Sequence, residues 1–344
     1  MAKVRIAING FGRIGRNAFK QALDRPGEFQ IVAINDLAPE KNLAYLLRWD
    51  SVYGPYKKEV GAVSEGGNNY ITVDGKKFLS LTEAEPSKLP WKKLDVDVVV
   101  ESTGVFTSTA KAKLHLDAGA KRVVISAPAK DDETPTTLVG ANDKEFSNKD
   151  LPRVTSDASC TTNAVVPLAS IFLDNPGIEK SMMTTVHGYT ATQSIVDTAA
   201  PDDYLRGRAG AINIVPSHTG AAVSAQKSIP DLKDKFEAIA IRVPVATGSI
   251  VDYTFLAKRN VTVDEINDIL REAAKEPKWK GIFTVTEEPL VSTDIIGNYH
   301  SSIADLTFTR VADGNLVKVF SWYDNEWGYT HSMLEHILRV GKLI

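Results

Sequence analysis

The chain has 344 residues, 43% apolar and 24% charged, and its 40 basic against 43 acidic side chains leave a net charge of −3. That length exceeds one ordinary core and points to two domains. The charge balance excludes a surface built on bulk positive charge for nucleic acid or an anionic membrane, and no apolar run reaches the ~20 residues that span a bilayer.

The opening "MAKVRIAINGFG" enters an apolar run at once and lacks a signal-peptide cleavage region. A single cysteine cannot form an intrachain disulfide, so the expected location is the cytoplasm. "KVRIAING" (3–10) reads as a buried strand ending in glycine. "RIGRNAFKQALD" (13–24) has helical spacing, and "FQIVAIND" (29–36) is again β-branched and apolar. "DVDVVVES" (95–102) and "KRVVISAP" (121–128) repeat the buried-strand pattern, with "STAKAKLHLDAG" (108–119) between them as a helix closed by Gly119. Alternating β and α predicts a doubly wound parallel sheet of the Rossmann type.

The pattern changes after about residue 160. "SMMTTVHGYT" (181–190), "AIAIRVP" (238–244), "GSIVDYTFLAK" (248–258) and "LVKVFSWYD" (316–324) read as strands of an antiparallel or mixed sheet in an α+β domain. "DGN" (313–315) signals a hairpin. "TVDEINDILREAAKE" (262–276) opens with Thr262 and Glu265 at capping-box spacing. A last helix is predicted near 330–341, with Met333, Leu334, Ile337 and Leu338 on one face.

Two stretches carry chemistry. In "NGFGRIG", Gly10, Gly12 and Gly15 have the G-x-G-x-x-G spacing between a strand and a helix, with Asp36 at the end of the next strand. In that context the glycines serve a tight turn, close approach of a pyrophosphate and helix packing, while the acid accepts bonds from ribose hydroxyls. A carboxylate there repels a 2′-phosphate, which favours NAD over NADP. In "SDASCTTNAVVPL" (156–168), Cys160 is the only cysteine of the chain and stands where a loop enters a helix. A thiol at a helix N-terminus has a lowered pKa, and the N–H groups there can hold an oxyanion. His187, 27 positions on at a strand end, is a candidate base. Spacing alone leaves a small buried core cysteine equally open.

"INGFGRIGR", "SCTTN", "HGYTATQ", "RGRAGAINIVPSHTGAA", "RVPVATGSIVD" and "WYDNEWGY" occur in the order found in phosphorylating glyceraldehyde-3-phosphate dehydrogenases, and the chain resembles that family over essentially its whole length. The resemblance implies a homotetramer, with a cofactor-binding domain over 1–159 and 325–344 and a catalytic domain over 160–324. It implies Cys160 as nucleophile and His187 as base. Thr190, Arg206 and Arg242 match residues that hold the substrate phosphate. Ser159, Thr162, Thr219 and Gly220 match the inorganic phosphate pocket, and Thr161 joins them as a substrate contact. Taken alone, Arg206 and Arg242 read as ordinary ion-paired arginines. Arg13 and Ile14 match pyrophosphate contacts, Ser126 another cofactor contact, and Asn325 the residue that binds the nicotinamide carboxamide. The implied partners are the triose phosphate and inorganic phosphate, with no metal, nucleic acid or membrane.

Several positions depart from the family pattern. Asp157 replaces an asparagine and opposes nearby anions unless turned away or paired. Ala164 replaces a frequent second cysteine, His218 a serine or threonine, and Ala84 a basic residue near adenine. Thr198 and Ala199, in "DTAAPDDYLRGR" (197–208), are small where strict NAD users carry bulk or proline, so NAD is favoured without excluding NADP. The alternatives are an erythrose-4-phosphate dehydrogenase and a catalytically silent NAD-binding scaffold.

Overall fold

The computed structural model describes residues 3–200 and 203–344. Met1 and Ala2 of the first predicted domain, and Pro201 and Asp202 of the 197–208 loop, lie outside the described residues. The chain forms two compact units. One gathers the chain through Thr137 with Asp143–Ala158 and Met333–Ile344; the other holds Leu138–Asn142 and Ser159–Ser332.

The first unit is built on eight strands: β1 Val4–Asn9, β2 Phe29–Asn35, β3 Val60–Glu65, β4 Asn68–Val73, β5 Lys76–Leu81, β6 Val98–Glu101, β7 Arg122–Ile125 and β8 Val154–Ser156. They lie in the order β3-β4-β5-β2-β1-β6-β7-β8. From β5 to β8 every pairing is parallel. β6 and β7 are buried at every position, the mark of a parallel strand covered on both faces. Helices α1 (Arg13–Leu23), α2 (Glu40–Arg48) and α3 (Thr109–Asp117) connect or flank them. As predicted, α3 is followed by Gly119, whose φ of +101° suits only glycine.

Strands β3, β4 and β5 form an antiparallel ribbon that the βα reading of this region misses. Its signals are turn residues: Gly66 and Gly67 at the first corner, Asp74 and Gly75 at the second, all at positive φ.

The second unit holds β9 (Ile178–Gly188), β10 (Val215–His218), β11 (Phe236–Val243), β12 (Ser249–Ala257), β13 (Phe283–Thr286), β14 (Ser302–Ala312) and β15 (Leu316–Tyr323), in the order β10-β11-β9-β12-β15-β14-β13. The sheet is mixed: β9 with β11 and β13 with β14 are parallel, the rest antiparallel. Helices α4 (Cys160–Asp174), α5 (Ala221–Ser228) and α6 (Val263–Ala273) pack against this sheet. Thr262 Oγ1 caps α6 by accepting from the Glu265 N–H at 3.2 Å. The hairpin at Asp313-Gly314 has both residues at positive φ, which fits a type I′ turn.

Helix α7 (Trp327–Gly341) starts three residues before its predicted position. Met333, Leu334 and Ile337 are fully buried, and Leu338 half-buried.

Candidate active site

In the first unit a cleft of about 400 Å³ opens where β1 and β6 part at the switch in strand order. It brings together Gly10, Gly12 and Asp36, with Leu37, Ala84 and Thr103 among its other walls. Ligands of open α/β sheets bind at such a crevice. The three glycines are required for different reasons. Gly10 has φ +91°, and a side chain there would meet the Ser102 backbone at 2.7 Å. A side chain on Gly15 would collide with the Gly10 carbonyl. Around Gly12 nothing lies within 4 Å of the point a Cβ would occupy, so its backbone borders open space. Gly12 is also the N-cap of α1 and offers no side-chain acceptor, which leaves the N-terminal N–H groups for an anion.

Asp36 Oδ2 accepts from the Phe11 N–H at 2.7 Å and Oδ1 from the Ala38 N–H at 3.0 Å. These bonds fix the carboxylate and leave further lone pairs for ribose hydroxyls. Leu37 beside it is 66% exposed and supplies no charge. Arg13, Ile14 and Ser126 lie outside the cleft lining. The Arg13 side chain is engaged by buried Asp50 at 2.8 Å and lies over the Tyr53 ring, so its contribution to a pyrophosphate would come from the backbone. Ser126 gives its N–H to the Glu101 carbonyl.

In the second unit Cys160 is the first residue of α4. The Ser159 hydroxyl caps that helix, accepting from the Thr162 N–H at 3.1 Å and pairing with the Thr162 hydroxyl at 2.8 Å. Cys160 Sγ lies 3.3 Å from His187 Nε2, so strand β9 and the head of α4 do bring the two residues together. His187 Nδ1 lies 2.6 Å from the Gly188 carbonyl; with the proton on Nδ1 that carbonyl is served and the Nε2 lone pair faces the sulfur.

Arg242 is the register partner of His187 across β11 and β9. Its Nη1 donates to the same Gly188 carbonyl at 3.2 Å and stands 2.6 Å from Nδ1. Two donors crowd one acceptor, and the guanidinium acts on the ring as a fixed charge. Burial, and then Arg242, pull the His187 pKa down to about 3. Among the described residues no carboxylate pairs with Arg242. Arg206, which bears on Arg242 electrostatically, is held by Asp203 at 3.1 Å.

The expected low thiol pKa is not found. Burial pushes the Cys160 thiol up and outweighs the Arg242 charge and the Thr161 donors that pull it down. Both shifts favour the neutral forms of the pair. Tyr323, to which the sequence assigns no role, makes a T-shaped contact with His187, ring centroids 5.9 Å apart, and sets its hydroxyl against Thr161 and Thr185 at 3.0 and 2.7 Å. Thr161 is correspondingly buried, its hydroxyl shared between Tyr323 and the Cys160 sulfur.

The remaining candidates are less constrained. The Thr190 hydroxyl pairs with that of Thr192 at 3.0 Å, and Thr219 accepts from the Ala221 N–H at 3.2 Å. Gly220 is the N-cap of α5, and His218 is exposed. Asn325 is buried; its Oδ1 accepts from the Gly248 N–H at 3.1 Å and the Ser249 hydroxyl at 2.9 Å. Its amino group is the end available to a carbonyl acceptor.

Asp157 is paired, as its neighbourhood requires. It is fully buried in the first unit with Oδ1 3.0 Å from His336 Nδ1. His336 Nε2 reaches the hydroxyls of Thr155 and Thr137 at 2.9 and 3.0 Å.

Comparison with known proteins agrees across both units. Residues 4–109 match the family model for the NAD binding domain of glyceraldehyde 3-phosphate dehydrogenase, and residues 159–325 match that for its C-terminal domain. A glyceraldehyde-3-phosphate dehydrogenase of Borreliella burgdorferi is 48% identical, covering 96% of this chain and 98% of its own. One from Streptomyces coelicolor is 45% identical over 98% and 99%, and one from Colletotrichum lindemuthianum 45% over 100% and 99%.

Proposed function

The chain belongs to the glyceraldehyde-3-phosphate dehydrogenase family, and from that premise we propose how its own residues carry out the reaction. The enzyme oxidises D-glyceraldehyde 3-phosphate with NAD and inorganic phosphate to 1,3-bisphosphoglycerate. The observation that carries the mechanism is the 3.3 Å contact between Cys160 Sγ and His187 Nε2.

The sulfur attacks the aldehyde carbon while His187 Nε2 takes the thiol proton, which passes to the new alkoxide. Coupling attack to proton transfer suits a neutral thiol better than prior ionisation. The N–H groups at the head of α4 stabilise the oxyanion. His187 then takes the hydroxyl proton as hydride departs, leaving a thioester on Cys160. NAD, when bound, would supply the acceptor for that hydride. Phosphate attacks the thioester carbonyl, the C–S bond breaks, and the sulfur recovers a proton from His187. The thioester retains oxidation energy that hydrolysis would lose.

Arg242 and Arg206 bind the substrate phosphate, with Thr190. Among the described residues no carboxylate pairs with Arg242, so an anion would satisfy its charge. Ser159, Thr162, Thr219 and Gly220 form the inorganic phosphate pocket, and Thr161 contributes through its backbone.

The cleft fits a dinucleotide: the Gly12 backbone borders open space, and Asp36 is fixed for ribose. Gly10, Gly12, Gly15, Arg13 and Ile14 hold the pyrophosphate turn, Ser126 adds a contact, and Asn325 donates to the nicotinamide carboxamide. NADP meets the Asp36 carboxylate and an uncharged Leu37. Small residues at Thr198 and Ala199 leave room for the extra phosphate and keep dual use open to assay.

The homotetramer remains our reading. Met182 and Ile239 stand exposed on one face of the second sheet, and Ile195, Val196, Tyr204 and Ile212 are exposed on its long loop. Such apolar surface suits subunit burial, and sedimentation at working concentration tests it. We place the enzyme in the cytoplasm; no described helix is long and apolar enough to cross a membrane. The names of the relatives favour the triose over the erythrose substrate. Steady-state turnover of both aldehydes, with and without phosphate, tests the assignment.

A further inference from the structure

Beneath the dinucleotide cleft runs a chain of buried polar side chains that the mechanism leaves unused. Glu101, at the end of β6, and His115, in α3, both have fully buried side chains. The Trp91 indole N–H can only donate, and it does so to His115 Nδ1 at 2.9 Å. That fixes the ring proton on Nε2, which donates to Glu101 Oε2 at 3.0 Å. The same oxygen accepts from Asn9 Nδ2 at 2.6 Å. Oε1 accepts from the Thr103 N–H at 2.9 Å and from the Thr103 hydroxyl. Asn9 Oδ1 then accepts from Asn35 Nδ2 at 2.7 Å. Asn35 in turn brackets the Glu83 peptide, donating to its carbonyl and accepting from its N–H, each at 2.9 Å.

Every link sets the direction of the next. A carboxylate only accepts, so the Asn9 amino group must face Glu101 and its oxygen must face Asn35. The order starts at an indole with no exposure and ends at the cleft wall. Asn9, Asn35, Glu83 and Thr103 line the cleft, whereas Trp91, His115 and Glu101 do not. If His115 took the other tautomer, a ring lone pair would face the carboxylate and the Trp91 N–H would lose its acceptor. A buried network of this kind loses more from partial disruption than its single bonds suggest.

We propose that Trp91 and His115 are positioning residues for the cofactor: acting through Glu101, they orient the Asn9 and Asn35 amides and so hold the wall that receives the adenosine half. The proposal rests on the reading of this cleft as the adenosine site. Full-length Trp91→Phe, His115→Phe, His115→Gln and Asp36→Ala enzymes are titrated calorimetrically with AMP and with NAD. KM is measured for NAD and for the triose phosphate.

Loss of one directing hydrogen bond in Trp91→Phe should weaken AMP and NAD by about 3- to 10-fold. The loss should fall on KM for NAD, with little change in kcat at saturating cofactor or in KM for the triose phosphate. His115→Phe should do the same or more, and His115→Gln, which keeps an N–H for Glu101, should recover part of the affinity. Unchanged AMP and NAD affinity in folded Trp91→Phe overturns the relay, and so does an equal loss for cofactor and triose phosphate. If His115→Phe does not fold, Trp91→Phe alone decides. Weakening in Asp36→Ala but not in Trp91→Phe sinks only the relay; AMP affinity unchanged in every variant sinks the reading of the cleft itself.

Discussion

Arg242 and His187 stand side by side across the parallel pairing of β11 and β9, with guanidinium Nη1 2.6 Å from imidazole Nδ1. Burial depresses the His187 pKa most, and a cation at that distance depresses it further. Substrate phosphate bound at Arg242, as we propose, would also offset part of the charge that depresses His187. Arg242→Leu should raise KM for the triose phosphate far more than for unphosphorylated glyceraldehyde, by a contact of about 1.5–3 kcal/mol. It should also raise the acid-side pKa seen in the rate of glyceraldehyde oxidation. Equal losses for both aldehydes would make Arg242 a structural residue.

Replacing the base slows the hydride step. His187→Asn should reduce the pre-steady-state burst rate of NADH on the order of 10² to 10⁴, the range of a general base. An unchanged burst contradicts the role.

Acid should destabilise the fold through the same histidine. Its pKa is about 3 folded, because of burial and Arg242, against about 6.5 unfolded. Between those values the unfolded chain binds the extra proton, so stability rises with pH across the window and is lost as pH falls from about 6.5 toward 3. The slope for one such group approaches about 1.4 kcal/mol per pH unit. His300, lowered to about 4 by burial and the nearby His331, adds in the same direction. Denaturant titrations at pH 7 and pH 5 should show a smaller acid loss in His187→Asn; an identical loss would mean the ring is not protonated on unfolding in this window.

The Asp157–His336 pair is a stability element. His336→Ala removes the Nδ1 partner of a fully buried carboxylate, and losing a hydrogen bond to a charged group costs about 1.5–3 kcal/mol. The urea midpoint should fall accordingly. A midpoint like that of the unmodified enzyme would show that the carboxylate is satisfied without His336.

Asp36 is our proposed determinant of cofactor choice. Asp36→Gly should weaken NAD and improve NADP, narrowing the preference from both sides. A ratio of kcat/KM near one in the unmodified enzyme would instead point to Thr198 and Ala199.

The glycines were legible because each answers a local demand: positive φ at Gly10, a carbonyl in contact at Gly15. The Cys160 helix start was legible from the serine that caps it. The sign of the thiol's shift was not, because burial depends on side chains distant in sequence and here exceeds the helix and arginine effects. Nor was the Arg242–His187 contact, which a register between strands 55 residues apart creates. The parallel pairings inside the second sheet stayed hidden for the same reason: alternation reveals the faces of a strand but not the direction of its neighbour. Asp157 looked like a liability next to a nucleophile until its partner on α7 came into view.

The most direct test follows the covalent intermediate. The enzyme is mixed with NAD and D-glyceraldehyde 3-phosphate in phosphate-free buffer, quenched in acid and digested, and the peptide containing Cys160 is examined by mass spectrometry. The account predicts an acyl adduct on Cys160, in step with one NADH per subunit, that disappears when inorganic phosphate is added before the quench. Cys160→Ser should form neither adduct nor NADH while still binding NAD. NADH formation with an unmodified Cys160 peptide, or full activity in the serine variant, would contradict thioester catalysis at this residue.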